Sequence, residues 1–164
     1  MEPRIETLTE KKLVGTHVRM SLVENKTLQL WQGFMPHRRQ ITNNVNNDLI
    51  SMQVYDHELY FADFNPESDF TKWAAAEVAD HNAIPAGMEA FTLPGGLYAV
   101  FPYKGTPADG ARMFRYIFAE WLPDAEYVLD HRPHFEILSE KYRNDDPDSE
   151  EEIWIPIKPK SELS

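Results

Sequence analysis

The chain contains no cysteine. This excludes disulfides, thiolate nucleophiles and thiolate metal sites. It also has no apolar run near the roughly 20 residues that a membrane-spanning helix needs. Its first residues, Met1-Glu-Pro-Arg-Ile-Glu6, lack the apolar core of a secretion signal. Positive charge is scarce: 16 Lys and Arg face 27 Asp and Glu, for a net charge of −11. Nucleic-acid binding needs a basic face that displaces counterions, so direct contact with DNA or RNA is not expected. Glycine is sparse as well. The one Gly-Gly pair, at 95–96, is neither followed directly by a helix nor part of a Gly-Lys-Ser/Thr phosphate loop. No Gly-x-Ser-x-Gly elbow exists. His131 and His134 flank Pro133 with no evident third ligand, and the run Asp145–Glu152 lacks the spacing of an EF-hand. The expectation is a cytoplasmic protein without metal or cofactor.

The 164 residues that are present suffice for one domain with a substantial core. An extended arm leads into a strand from about Lys12 to Ser21. Residues 25–41 carry a helical stripe through Leu28, Trp31 and Met35, with Asn25 as N-cap and Pro36 as a kink. Strands follow at Ile50–Asp56 and Phe70–Ala79. A connector with Pro85 and Gly87 precedes Phe91–Tyr103, an extended stretch broken at Pro94-Gly-Gly96. Thr106-Pro-Ala-Asp109 starts a helix that Pro123 should stop. His134–Glu140 and Glu152–Lys158 are the last strands.

The order strand, helix, strand, strand therefore occurs twice, with corresponding elements about 80 residues apart. The expected fold is α+β: two such units, at about 1–82 and 88–160 of a single domain, forming one antiparallel sheet with both helices on one face. The opposite face is then free to form a ligand cleft between the halves. The two closing strands each carry an indole and a carboxylate: Trp73 with Glu77, and Glu152 with Trp154. On Glu152–Lys158 a period of two puts Ile153, Ile155 and Ile157 on one face, and Glu152, Trp154 and Pro156 on the other. A rigid carboxylate beside an indole suits an organic cation or an activated water. On that stretch alone, a solvated strand start explains Glu152 equally simply.

Pro94-Gly-Gly-Leu-Tyr-Ala-Val-Phe101, Trp121-Leu-Pro123, Arg132-Pro-His-Phe-Glu136 and Glu152-Ile-Trp-Ile-Pro-Ile-Lys158 occur in that order. In combination they resemble a GyrI-like small-molecule-binding domain, the effector-binding fold of AraC- and MerR-type regulators. The resemblance implies the duplicated fold and a cleft between its halves. It assigns a pocket role to Glu152 with Trp154 beside it, and Tyr98 matches the Gly-Gly-x-Tyr position. Glu77 rests on symmetry instead. No helix-turn-helix flanks the domain, so a stand-alone module is expected.

Three functions fit. The first is a binding module for lipophilic, cationic aromatic compounds, with Glu152 and Glu77 for charge and Trp31, Trp73, Trp154 and Tyr98 as walls. The second is a hydrolase of reactive cyclopropane-type toxins, which the resemblance permits, with Glu152 as its acid–base residue. The third is a protein partner that modulates a DNA-handling enzyme, a role linked to the family's namesake. The acidic run could then mimic nucleic-acid charge, although such runs are commonly solvated loops.

Overall fold

Among the described residues, segments rich in β-branched and aromatic residues form nine strands of an antiparallel sheet, with two helices packed on it. The strands are β1 (Arg4–Leu8), β2 (Lys11–Met20), β3 (Leu49–Tyr55), β4 (Phe70–Val78), β5 (Glu89–Leu93), β6 (Gly96–Lys104), β7 (Tyr127–Leu129), β8 (His134–Leu138) and β9 (Glu150–Pro159). The computed structural model describes residues 2–56, 67–104, 107–138 and 150–162. Thr106 and residues 145–149 of the acidic run lie outside them.

Helix α1 spans Thr27–Phe34. The N-cap position is Lys26, with no side-chain cap bond, and not Asn25 as expected; Asn25 lies one residue earlier and its Oδ1 accepts the Thr27 N–H at 3.0 Å. At Pro36 the α-helix gives way to a tighter 3₁₀ stretch, Met35–Gln40. Helix α2 spans Pro107–Tyr116 and widens into a π turn at Ile117–Trp121. Pro123 does not stop the chain at once. It sits at the start of a last turn, Leu122–Asp124, where its missing N–H costs little. The extended arm forms β1, and β7 is an added short strand beside β9.

The strand order is β1-β6-β9-β8-β3-β4-β2-β5. β4 lies between β2 and β3, β9 lies between β6 and β8, and β3 pairs with β8 at the centre. One register runs through both outer pairings, β1 with β6 and β5 with β2. The numbers of each pair add to 104: 4 with 100, 8 with 96, 11 with 93, 15 with 89. Residues 4–15 thus cross residues 89–100 as a single antiparallel ribbon, interrupted only at 9–10 and 94–95. The crossing is tight. A Cβ on Gly95 would meet the Leu8 carbonyl oxygen at 2.6 Å, which is why a glycine fits there.

Cross-strand register fixes the faces. Arg4, Val100, Trp154, Phe135, Met52, Trp73 and His17 are successive partners in one row, so they point to one side. That side holds a buried cluster of Leu8, Leu13, Ile50, Met52, Trp73, Leu93, Tyr98, Phe135 and Trp154. The other side carries the helices. Leu30 and Phe34 of α1 pack on Val14, Ala74, Ala76 and Val78. Ile117 packs on Ala99, Phe101 and the Ile153, Ile155, Ile157 row. The alanines of β4 let α1 approach closely. β3 and β8 lie between the strands that the helices cover.

Candidate functional site

The residues singled out in the sequence fall into two groups. Trp73, Trp154 and Tyr98 share the face away from the helices with Glu77 and Glu152. Their exposure is that of a packed core: 6% for each indole and 0% for Tyr98. Trp154 stacks on Phe135 at 5.2 Å, and Tyr98 meets both rings edge-on. The Tyr98 hydroxyl donates to the Pro133 carbonyl at 2.8 Å. The two glutamates lie on β4 and β9, three strand steps or roughly 14 Å apart, and each meets its own cation. Lys11 lies 3.3 Å from Glu77, and Arg4 lies 2.7 Å from Glu152. Arg4 also sits over the Trp154 ring at 5.8 Å, and the Trp154 indole N–H points to Glu152 Oε1 at 3.3 Å. Trp31 is not part of this group. It lies on α1, on the opposite side of the sheet, edge-on to Phe34 at 5.6 Å.

The helix side of the sheet centre is different in chemistry. Lys72, Gln53 and His134 form one cross-strand row, and Ser51 and Glu136 the next. Glu136 pairs with Ile153, so Glu151, two residues away on β9, is its diagonal neighbour at roughly 7 Å. Lys72, Ser51, His134 and Glu151 are buried, at 6, 5, 5 and 7% exposure. Aromatic rings close one end. Tyr55 lies 5.1 Å from both Phe70 and His134, and Phe118 from the π turn stacks on His134 at 6.4 Å. The helix side of the sheet centre is thus a buried polar patch with aromatic rings at one end. The Gln53 Oε1 atom in that patch is buried with no hydrogen-bond partner among the described residues.

Burial dominates the electrostatics here. It pushes the Glu151 carboxyl up to about 7, with Lys72 opposing. Burial also raises Glu136, again against the pull of Lys72, although the Glu136 side chain keeps some solvent access. Burial lowers Lys72, while Glu136 and Glu151 hold it up. His134 is driven down to about 3 by burial and by Arg132 and His131, so it is neutral at physiological pH. Tyr55 is raised to about 12 by burial and the nearby Glu136. Among the described residues no group of three or more His, Asp or Glu is arranged to hold a metal ion.

The model of the GyrI-like small molecule binding domain matches residues 1–158. The chain belongs to the GyrI-like family. Transcriptional regulator BrlR of Pseudomonas aeruginosa is 29% identical over 130 residues, covering 79% of this chain and 45% of BrlR. The chain thus spans less than half of that relative's length. A structure of SAV2435 bound to tetraphenylphosphonium superposes with a TM-score of 0.71 at 18% identity, covering 96% of this chain and 94% of the other. A hydrolase encoded by lin2189 of Listeria innocua superposes with a TM-score of 0.59 at 7% identity, covering 96% and 92%. At such identities the structural matches establish the shared fold. No DNA-binding domain accompanies the GyrI-like domain within these 164 residues. Among the described residues no helix is long and apolar enough to cross a membrane.

Lys72, Glu136 and Glu151 of this GyrI-like domain escaped the reading of the sequence. A signal existed for two of them. Lys72 interrupts the apolar strand Phe70–Val78, and Glu136 lies between Phe135 and Ile137. Alternation separated Glu136 from its apolar neighbours without telling which face meets the helices.

Proposed function

We propose that this GyrI-like domain binds lipophilic organic cations on the helix side of its sheet centre. Glu136 and Glu151 supply the negative charge, and Phe70, Tyr55, His134 and Phe118 supply the walls. The observation that carries this reading is the pair of neighbouring carboxylates that share a single ammonium beside a set of aromatic rings. A desolvated carboxylate gains more from a bound cation than a solvated one does. The tetraphenylphosphonium held by SAV2435 is a ligand of this chemical class. In this reading the domain is two strand–helix–strand–strand units, β2-α1-β3-β4 and β6-α2-β8-β9, meeting at the β3–β8 pair, and the ligand binds over that junction.

A second reading puts the cation on the other face, between Glu152 and Trp154, with Trp73, Tyr98 and Glu77 nearby. What favours it is Arg4, whose guanidinium already occupies the place of an organic cation against that pair. Should either carboxylate site also turn over a reactive electrophile, its glutamate would be the acid–base residue of a hydrolase.

Titration with tetraphenylphosphonium separates these readings. Glu136→Gln and Glu151→Gln should each weaken binding by about tenfold, the loss of one partly buried charge interaction. Glu152→Gln should stay within about twofold. The reverse pattern assigns the ligand to the Glu152 face, and unchanged affinity in all three variants refutes carboxylate recognition altogether. Product formation from a cyclopropane-fused test compound, lost with binding in the same variant, identifies an enzyme.

A further inference from the structure

We infer that Lys72 sets the valence of the ligand, making the site selective for singly charged organic cations over doubly charged ones. This rests on the cation-binding reading above and concerns a residue that opposes it. The site carries two carboxylates, Glu136 and Glu151, against one ammonium. His134, across Gln53 from Lys72 in the same row, is buried and neutral, which leaves Lys72 as the cationic side chain there; burial lowers it, and Glu136 and Glu151 hold it up. With both carboxylates ionised the local balance is one negative charge, which one monovalent cation neutralises. A divalent cation leaves one positive charge uncompensated where water is largely excluded.

The placement of Lys72 argues against a purely structural role. Its side chain is 6% exposed, yet among the described residues no hydrogen bond or close ion pair holds its ammonium. A buried charge without a bonded partner lowers stability, and an apolar side chain of similar length would remove that cost. Ala74 and Ala76, the next positions on this face of β4, are covered by Leu30 and Phe34 of α1. A ligand bound at the sheet centre would stay within the field of the Lys72 ammonium.

The test uses two planar probes of nearly equal shape that differ by one charge: N-methyl-4-phenylpyridinium, a monocation, and N,N′-dimethyl-4,4′-bipyridinium, a dication. Affinities are measured by calorimetry at pH 8 for the wild type, Lys72→Met and Lys72→Arg. The wild type should prefer the monocation. Lys72→Met, with two negative charges unopposed, should shift the dication-to-monocation affinity ratio at least about tenfold toward the dication. Lys72→Arg should keep the wild-type ratio, and Lys72→Met should melt at or above the wild-type temperature. If both probes bind and the ratio is the same in all three proteins, Lys72 does not set valence. If neither probe nor tetraphenylphosphonium binds any of them, the cation reading fails and this inference fails with it. Should Lys72→Met not fold, Lys72→Gln provides the same comparison.

Discussion

Replacing Glu151 by glutamine removes the charge that β9 is least able to solvate. The carboxyl is pushed from an ordinary 4.5 up to about 7, chiefly by burial. A raised folded-state pKa means that the fold favours the neutral acid. Its contribution to stability is therefore complete below about pH 4.5 and is lost as pH climbs through about 7. A shift of that size, which already includes the opposing pull of Lys72, corresponds to about 3 kcal/mol, reduced to about 2 kcal/mol by residual solvent access. For a chain of this length that lowers the melting temperature by about 5 °C between pH 5 and pH 8.5. Glu151→Gln cannot ionise and should lack this decline. Thermal melts of both proteins across that range, compared as a difference, isolate the group from every other titration, including that of Glu136. Parallel curves for wild type and variant would refute the assignment of Glu151 as a destabilised buried carboxyl.

The same group should couple cation binding to protons. If the ligand pairs with ionised Glu151, tetraphenylphosphonium affinity rises with pH and levels off above about 7, being about eightfold weaker at pH 5.5. Calorimetry in buffers of different ionisation enthalpy should show proton release below pH 7, and Glu151→Gln should abolish it. Tyr98→Phe leaves the buried Pro133 carbonyl without its donor and should cost about 1–3 kcal/mol in urea unfolding while leaving cation affinity unchanged. Gly15→Ala puts a Cβ 2.1 Å from the Ala74 carbonyl oxygen and should destabilise by about 2 kcal/mol or more. Arg4→Ala removes a pair whose partners are 43% and 31% exposed, so it should change stability by less than about 1 kcal/mol.

The architecture was largely readable in the chain because its signals are local. Alternation marked β2, β3, β4, β8 and β9, Pro36 marked the change of helix type, and Pro94-Gly-Gly96 marked the corner between β5 and β6. The partly legible feature was the site. A period of two sorts a strand into faces, yet both faces of β9 carry apolar residues and a glutamate. Which of them meets a helix depends on strands distant in sequence. Glu152 stood out because it sits beside an indole, whereas Glu151 precedes the isoleucines that look like plain core. Ile153 and Ile155 are indeed core, packed with Ile117, and Glu151 continues the same face beside Leu138, buried without being apolar. Trp31 lies apart from the other named aromatics for a related reason: helical periodicity places it on α1 but says nothing about which side of the sheet α1 covers.

The ribbon formed by residues 4–15 and 89–100 has a mechanical consequence. β1 belongs to the first half of the chain but is hydrogen-bonded to β6 of the second, and β5 is lent in the opposite direction to β2. A pull on residue 4 is therefore borne by a strand nearly a hundred residues away, before any load reaches β2. These pairings join distant positions and close large loops, so they should form late and slowly during folding. Once formed, they bind the halves independently of the connector at 79–88. A single backbone cut there would leave two fragments clasped by two borrowed strands and by the central β3–β8 pair.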